Sequence, residues 1–257
     1  MQYFLDFNTY LLLFFGFLAG FIDSIVGGGG LIQLPAVLIF APSESISTSF
    51  GTNKFAGFLG TLTAAFRYIK GIKLNYYATI PGIITALPAS SFGAALVSHI
   101  NKETLKPAIL LLLIFVGIYT FIKKDFGKIQ TKVVSNQKAI MFSLISGLLI
   151  GFYDGFFGPG TGSFLVFIYI GFFGFDFIQA SASAKIINGF TNLSALLFFG
   201  YNQHIIYQVA IPLGIANILG SIMGTKMALK RGTEFVRKLF LIVVLGFILK
   251  IAYDTLF

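Results

Sequence analysis

The chain has 257 residues, 56% of them hydrophobic and 11% charged, with a formal net charge of +9 and a mean hydropathy of +0.89. Soluble domains carry about 25% charged residues, so a water-facing globular fold is excluded. The absence of cysteine excludes disulfide and thiolate–metal chemistry, and the basic excess sits in short loops between apolar runs, where it orients a membrane protein rather than binding nucleic acid.

The first segment, Met1 to Asp6, has no basic stretch, so no cleaved signal peptide is expected. A glycine-broken apolar segment follows at about 9–41, then three uninterrupted spans at about 47–66, 76–98 and 104–122. A linker covers 123–139. A second broken segment occupies about 140–173, and three more spans are expected at about 178–200, 205–225 and 239–256. The runs are continuous rather than alternating, so they read as helices, the form that satisfies its own backbone in lipid. Tryptophan is absent, so tyrosine must supply the interfacial belt, with Tyr10, Tyr68, Tyr76, Tyr77, Tyr119, Tyr201 and Tyr253 near span ends.

The two halves repeat. At an offset of 131, Gly16, Gly20, Asp23, Gly27 and Gly29 meet Gly147, Gly151, Asp154, Gly158 and Gly160. Lys54 meets Lys185, Pro81 meets Pro212 and Glu103 meets Glu234, without a gap. The expected fold is therefore an all-α integral membrane protein of two inverted repeats, 1–122 and 140–257. Each repeat is a re-entrant or discontinuous broken segment plus three transmembrane helices.

The loop charges argue for the inversion. If each broken segment dips in and returns, thirteen loop basic residues share one face and three the other; if it crosses, the division is nine to seven. The strong bias is the one membrane proteins show. It places both termini outside and the linker 123–139 in the cytoplasm of a cell-membrane protein with many spans.

The breaks read Gly27-Gly28-Gly29-Gly30 and Gly158-Pro159-Gly160-Thr161-Gly162. Glycine and proline free helix-end polar groups, which lipid tolerates only inside protein or beside a watery cavity. Matched breaks in two halves point to a transporter site. The short limbs, beginning near Leu31 and Ser163, aim N-terminal N–H donors at the breaks, which suits an anion. The blander reading is that the glycines only let helices pack closely.

Four ionisable residues lie within apolar segments: Asp23, Lys54, Asp154 and Lys185. Such charges are costly and tend to be functional. The lysines read as substrate cations, or as snorkelling side chains. The aspartates read as proton carriers, or as salt-bridge partners and helix caps. Gln33, Thr52, Asn53, Thr161, Ser163, Ser183 and Asn188 supply nearby polar groups, while His99 and His204 sit at span ends as interfacial residues.

Two stretches carry a family resemblance. GFLAGFIDSIVGGGGLIQLPAVL at 16–38 with TSFGTNKFAGFLGTLTAAFRYIKG at 48–71 resembles the sulfite exporter TauE/SafE family. GFYDGFFGPGTGSF at 151–164 with SASAKIINGFTNLSALLFF at 181–199 is similar to that family's repeat. The resemblance implies a permease for sulfite, sulfonates or related oxoanions. It places the family's glycine motifs on Gly27, Gly28, Gly29 and Gly30 and on Gly158 to Gly162, and its Asn-Lys segment on Asn53 and Lys54. Ala184 stands where the second half would repeat Asn53.

The leading expectation is a secondary transporter of a small sulfur-containing anion, with proton coupling through Asp23 and Asp154. Its partners are that anion and the lipid bilayer, with no nucleic acid and no cofactor. The alternatives are a cation or metal carrier using Asp23 and Asp154, and an intramembrane enzyme. Neither histidine is placed for hydrolysis, no HExxH motif occurs, and no GxxxxGK loop suggests ATP-driven pumping.

Overall fold

A computed structural model describes residues 7–41, 43, 45–96, 127 and 134–256. The expected span 104–122, His99 and most of the expected linker 123–139 lie outside these residues. Among the described residues eight helical elements follow in order: α1 Phe7–Val26, α2 Gly30–Phe40, α3 Ile46–Gly71, α4 Tyr76–Leu96, α5 Asn136–Phe156, α6 Thr161–Phe173, α7 Phe177–Tyr201 and α8 Tyr207–Leu256. Four stretches among these residues, Phe7–Val26, Tyr76–Leu96, Asn136–Phe156 and Tyr207–Gly246, are long and apolar enough to cross a membrane.

Each broken segment is a helical hairpin. Gly27 and Gly28 end α1 with φ of 80° and 87°, a region that costs other L-residues energy. The chain then turns back, so Gly29 lies against Ala19 and Asp23, and Phe40 stacks on Phe15 with centroids 5.8 Å apart. In the second half Gly158 and Gly160, with φ of 87° and 89°, make the same reversal. Tyr153 meets Phe164 at 5.4 Å near the turn, and Phe142 meets Phe172 at 5.6 Å near the open end. The long limbs have 20 and 21 residues, about 30 Å each. The short limbs have 11 and 13, about 16–20 Å, too short to cross alone.

Packing between the halves follows stripes of small residues. Gly147, Gly151 and Gly155 of α5, each one turn apart, lie directly against Gly82, Ala86 and Ser90 of α4. These two helices therefore run parallel at near backbone contact. Gly16 and Gly20 of α1 meet Leu213 and Asn217 of α8 in the same way, and Gly224 meets Phe21 and Ser24. Such close approach is what holds membrane helices together where lipid removes the hydrophobic driving force. Helix α3 also runs parallel to α8, with Thr52 Oγ1 accepting from Ile206 N–H at 3.1 Å and Gly60 against Asn217. Helices α3 and α7 cross antiparallel: Lys54 reaches Asn192, while Thr61 lies beside Gly189.

The last two expected spans are present as two helices within Tyr207–Leu256 that meet at a kink at Gly232, with φ of 77° and ψ of −174°. Residues 226–238 are mainly lysine, arginine, leucine, alanine and methionine, good helix formers, so both helices run on to the kink. One expectation needs correction. Tyr68 is not a belt residue. It is fully buried and donates its hydroxyl to the Ser24 carbonyl at 3.0 Å. Tyr10, Tyr76, Tyr77, Tyr201 and Tyr253 are exposed, as a belt requires.

Outside the buried ion pairs, the basic residues around Gly71, Leu229 and the start of α5 gather at one end of the bundle. Gly71, closing α3 after Arg67 and Lys70, packs against Leu229, which is flanked by Lys226, Lys230 and Arg231. Lys73 lies just beyond α3, and Lys138 starts α5 alongside the start of α4, where Ser143 donates to the Ala78 carbonyl at 2.7 Å.

Candidate functional site

The two breaks meet. A Cβ on Gly27 would overlap the backbone of Gly162 and Ser163, and Ser163 Oγ donates to the Val26 carbonyl at 3.2 Å. Beside this contact lies a small cavity of about 40 Å³, room for about three water molecules or a compact ion.

Two ion pairs flank it. Lys54 Nζ donates to Asp154 Oδ2 at 2.7 Å, and Lys185 Nζ donates to Asp23 Oδ2 at 2.7 Å. The 131-residue offset maps one pair onto the other, and each pair joins a lysine of one half to an aspartate of the other. Lys54 is 4% exposed and Lys185 not at all, so neither snorkels. The salt-bridge reading of the aspartates is the observed one, with the partner drawn from the opposite half. Buried unpaired charges are strongly unfavourable, whereas paired and hydrogen-bonded ones are sustained.

The remaining contacts make the pairs unequal. Asp23 also accepts from Thr61 Oγ1 at 3.2 Å and from the Gly29 N–H at 3.1 Å. Lys54 also donates to Asn192 Oδ1 at 3.1 Å. Asp23, Lys54 and Asp154 line the cavity, whereas Lys185 stands behind Asp23.

Most sequence-predicted residues converge here. Gly28, Gly29, Gly30, Gln33, Asn53, Gly158, Gly160, Thr161, Gly162 and Asn188 line the cavity with the three charged groups. Gly30 and Thr161 are the first residues of α2 and α6, so both short limbs start at the cavity. Gly27 and Ser163 do not line it; they form the contact between the breaks. Thr52 caps the start of α8, Ser183 bonds Thr79, and His204 lies in the α7–α8 turn near Thr48, all away from the cavity.

Four lining residues were not anticipated: Gly57, Thr61, Asn192 and Asn217. Three follow a readable pattern. Lys54, Gly57 and Thr61 share one helix face, and at the repeat offset they become Lys185, Asn188 and Asn192. Gly57 provides a direct probe. Nothing lies within 4 Å of a Cβ placed there, so Gly57→Ala fills cavity space without touching protein. Thermal unfolding in detergent should show unchanged or slightly higher stability, by up to about 1 kcal/mol, while transport falls at least tenfold.

The chain matches the family described as sulfite exporter TauE/SafE over residues 12–251. It is 31% identical to the probable membrane transporter protein YfcA of Escherichia coli, over 95% of this chain and 90% of that one. It is 32% identical to the probable membrane transporter protein ORF9 of a Sinorhizobium species, over 93% and 90%. A probable membrane transporter protein of Haemophilus influenzae is 31% identical, over 93% and 92%. No solved structure matches the chain. The chain thus belongs to the sulfite exporter TauE/SafE family and is a membrane transporter, not an enzyme.

Proposed function

We propose that the chain is a secondary transporter of a small sulfur-containing anion, such as sulfite or a sulfonate, bound at the cavity between the two breaks. The observation that carries this reading is the Lys54 ammonium lining a cavity on which the N-terminal turns of α2 and α6 converge. Ammonium and helix N-termini both favour negative charge. The family and the names of the relatives agree with it at the level of transport.

Charge balance supports proton coupling. Asp23, Asp154, Lys54 and Lys185 sum to zero as charged groups, so an added anion leaves the buried site negative. A proton on Asp154 restores neutrality and frees Lys54 for the anion. Affinity for methanesulfonate, an anion that does not titrate near neutrality, should therefore rise as pH is lowered. A pH-independent affinity would argue against coupling through the aspartates.

We also propose that the halves, 1–122 and 140–257 joined by 123–139, are inverted repeats with both termini outside. The antiparallel crossing of the repeat-related helices α3 and α7 supports this, as do the fold-back of both hairpins and the clustering of basic residues at one end. Tags in the linker and at the C-terminus should report opposite sides of the membrane; one shared side would refute the inversion.

Thermal unfolding of the purified protein against a panel of anions and cations tests the site, because a ligand of the native state raises its stability. Stabilisation by sulfite or sulfonates, lost in Lys54→Ala, is expected. Stabilisation by metal cations alone would overturn the proposal in favour of a cation carrier.

A further inference from the structure

Three buried side-chain amides cross one wall of the cavity: Asn217 of α8, Gln33 of α2 and Asn53 of α3, with exposures of 3%, 2% and 9%. An amide's nitrogen and oxygen are assigned from the partners they meet, and here the assignment is unique. Gln33 Nε2 lies 3.0 Å from the Asn53 backbone carbonyl and 3.0 Å from Asn53 Oδ1. A backbone carbonyl only accepts, so the Gln33 atom facing it is the nitrogen. Gln33 then turns Oε1 to Asn217, which donates to it through Nδ2. Asn53 must turn Oδ1 to Gln33, which directs its own Nδ2 elsewhere.

That nitrogen has no acceptor within hydrogen-bond distance among the described residues, and it is not sealed inside protein. Asn53 lines the cavity, so its NH₂ opens there, next in sequence to Lys54. On the other wall the polarity runs oppositely. The Lys54 ammonium only donates, so Asn192 turns Oδ1 to it. Asn192 Nδ2 meets Asn188 Oδ1 at 3.5 Å, Asn188 Nδ2 meets Thr191 Oγ1 at 3.4 Å, and the Thr191 hydroxyl returns to the Asn188 carbonyl at 3.0 Å. That chain turns its donors back into helix α7.

The first relay has no counterpart in the other half. At the 131-residue offset Gln33, Asn53 and Asn217 become Phe164, Ala184 and Ala86. All three amides are lost together, as expected if they act as one unit. Phe164 instead packs edge-on against Tyr153.

We infer that Asn53 determines the ion selectivity of the cavity. The Asn217–Gln33–Asn53 relay locks its carboxamide so that only donors face the ligand, and the site takes an acceptor-only oxyanion whose oxygens bind on the first-half wall. This rests on the anion reading above and deepens it. Sites with oriented donors reject ligands that cannot accept, because the donors are left unpaired.

Asn53→Asp in the full-length purified protein is the test. The aspartate keeps an oxygen for Gln33 and replaces the donor by a carboxylate oxygen. The sulfite or methanesulfonate concentration giving half-maximal thermal stabilisation should rise at least about 100-fold, and stabilisation by potassium or magnesium chloride should appear. Asn53→Ala retains the backbone carbonyl partner of Gln33 and serves if the aspartate variant does not fold. It should weaken anions about tenfold or more, the loss of one hydrogen bond to a charged group, without gaining cations. Anion stabilisation within twofold of wild type in either folded variant, while Lys54→Ala abolishes it, would overturn the relay and leave the anion site standing. A wild-type protein stabilised by no anion would remove both.

Discussion

Lys54→Ala should abolish transport and cost about 3–5 kcal/mol of stability, the range for removing one partner of a buried ion pair. The cost comes mainly from Asp154, which is 1% exposed and left without its cation. Stability and function should then separate in a double variant. Lys54→Met with Asp154→Leu removes both charges and fills similar volume, so thermal unfolding should recover to within about 1–2 kcal/mol of wild type. Transport should stay absent, because the cavity has lost its ammonium. A double variant that transports would mean that the pair serves packing alone.

Gly27→Ala should prevent folding or cost more than about 4 kcal/mol, the range reserved for severe structural conflict. Two effects coincide there. The backbone has φ of 80°, and an added Cβ would overlap the Gly162 backbone. Gly30→Ala is the matched control, with no positive φ and nothing closer than Pro159 Cα at 3.5 Å. Expression yield and melting temperature in detergent should fall steeply for Gly27→Ala and little for Gly30→Ala. Equal effects would show that the contact between the breaks is not what holds the hairpins together.

The two glycines differ in a way the sequence does not display. GGGG reads as one break, yet only Gly27 and Gly28 have positive φ, and a Cβ on Gly27, unlike one on Gly30, would overlap the backbone of the opposite hairpin. That contact belongs to the meeting of two distant segments. The repeat offset, the hairpin limbs and the four buried charges were legible because glycine, proline and ionisable residues stand out against an apolar background. The cross-pairing of Lys54 with Asp154 and Lys185 with Asp23 was not, since each aspartate has a lysine in its own half as an equal candidate. Asn192 and Thr61 were readable from the helix face of Lys185 and Lys54. Asn217 was hidden from the repeat comparison, because its counterpart is Ala86; an amide placed well inside an apolar helix was the remaining signal. Tyr68 misled because closeness to a span end says nothing about which face of the helix packs inward.

Counterflow in proteoliposomes bears most directly on a small anion passing through the cavity between the breaks. Vesicles loaded with unlabelled sulfite, sulfate or a sulfonate are given a trace of labelled anion outside, for wild type and for Gly57→Ala. Wild type should accumulate at least one anion, and Gly57→Ala should lose that accumulation while melting at or above the wild-type temperature. Accumulation of cations only, or undiminished anion counterflow in a folded Gly57→Ala protein, would contradict the account.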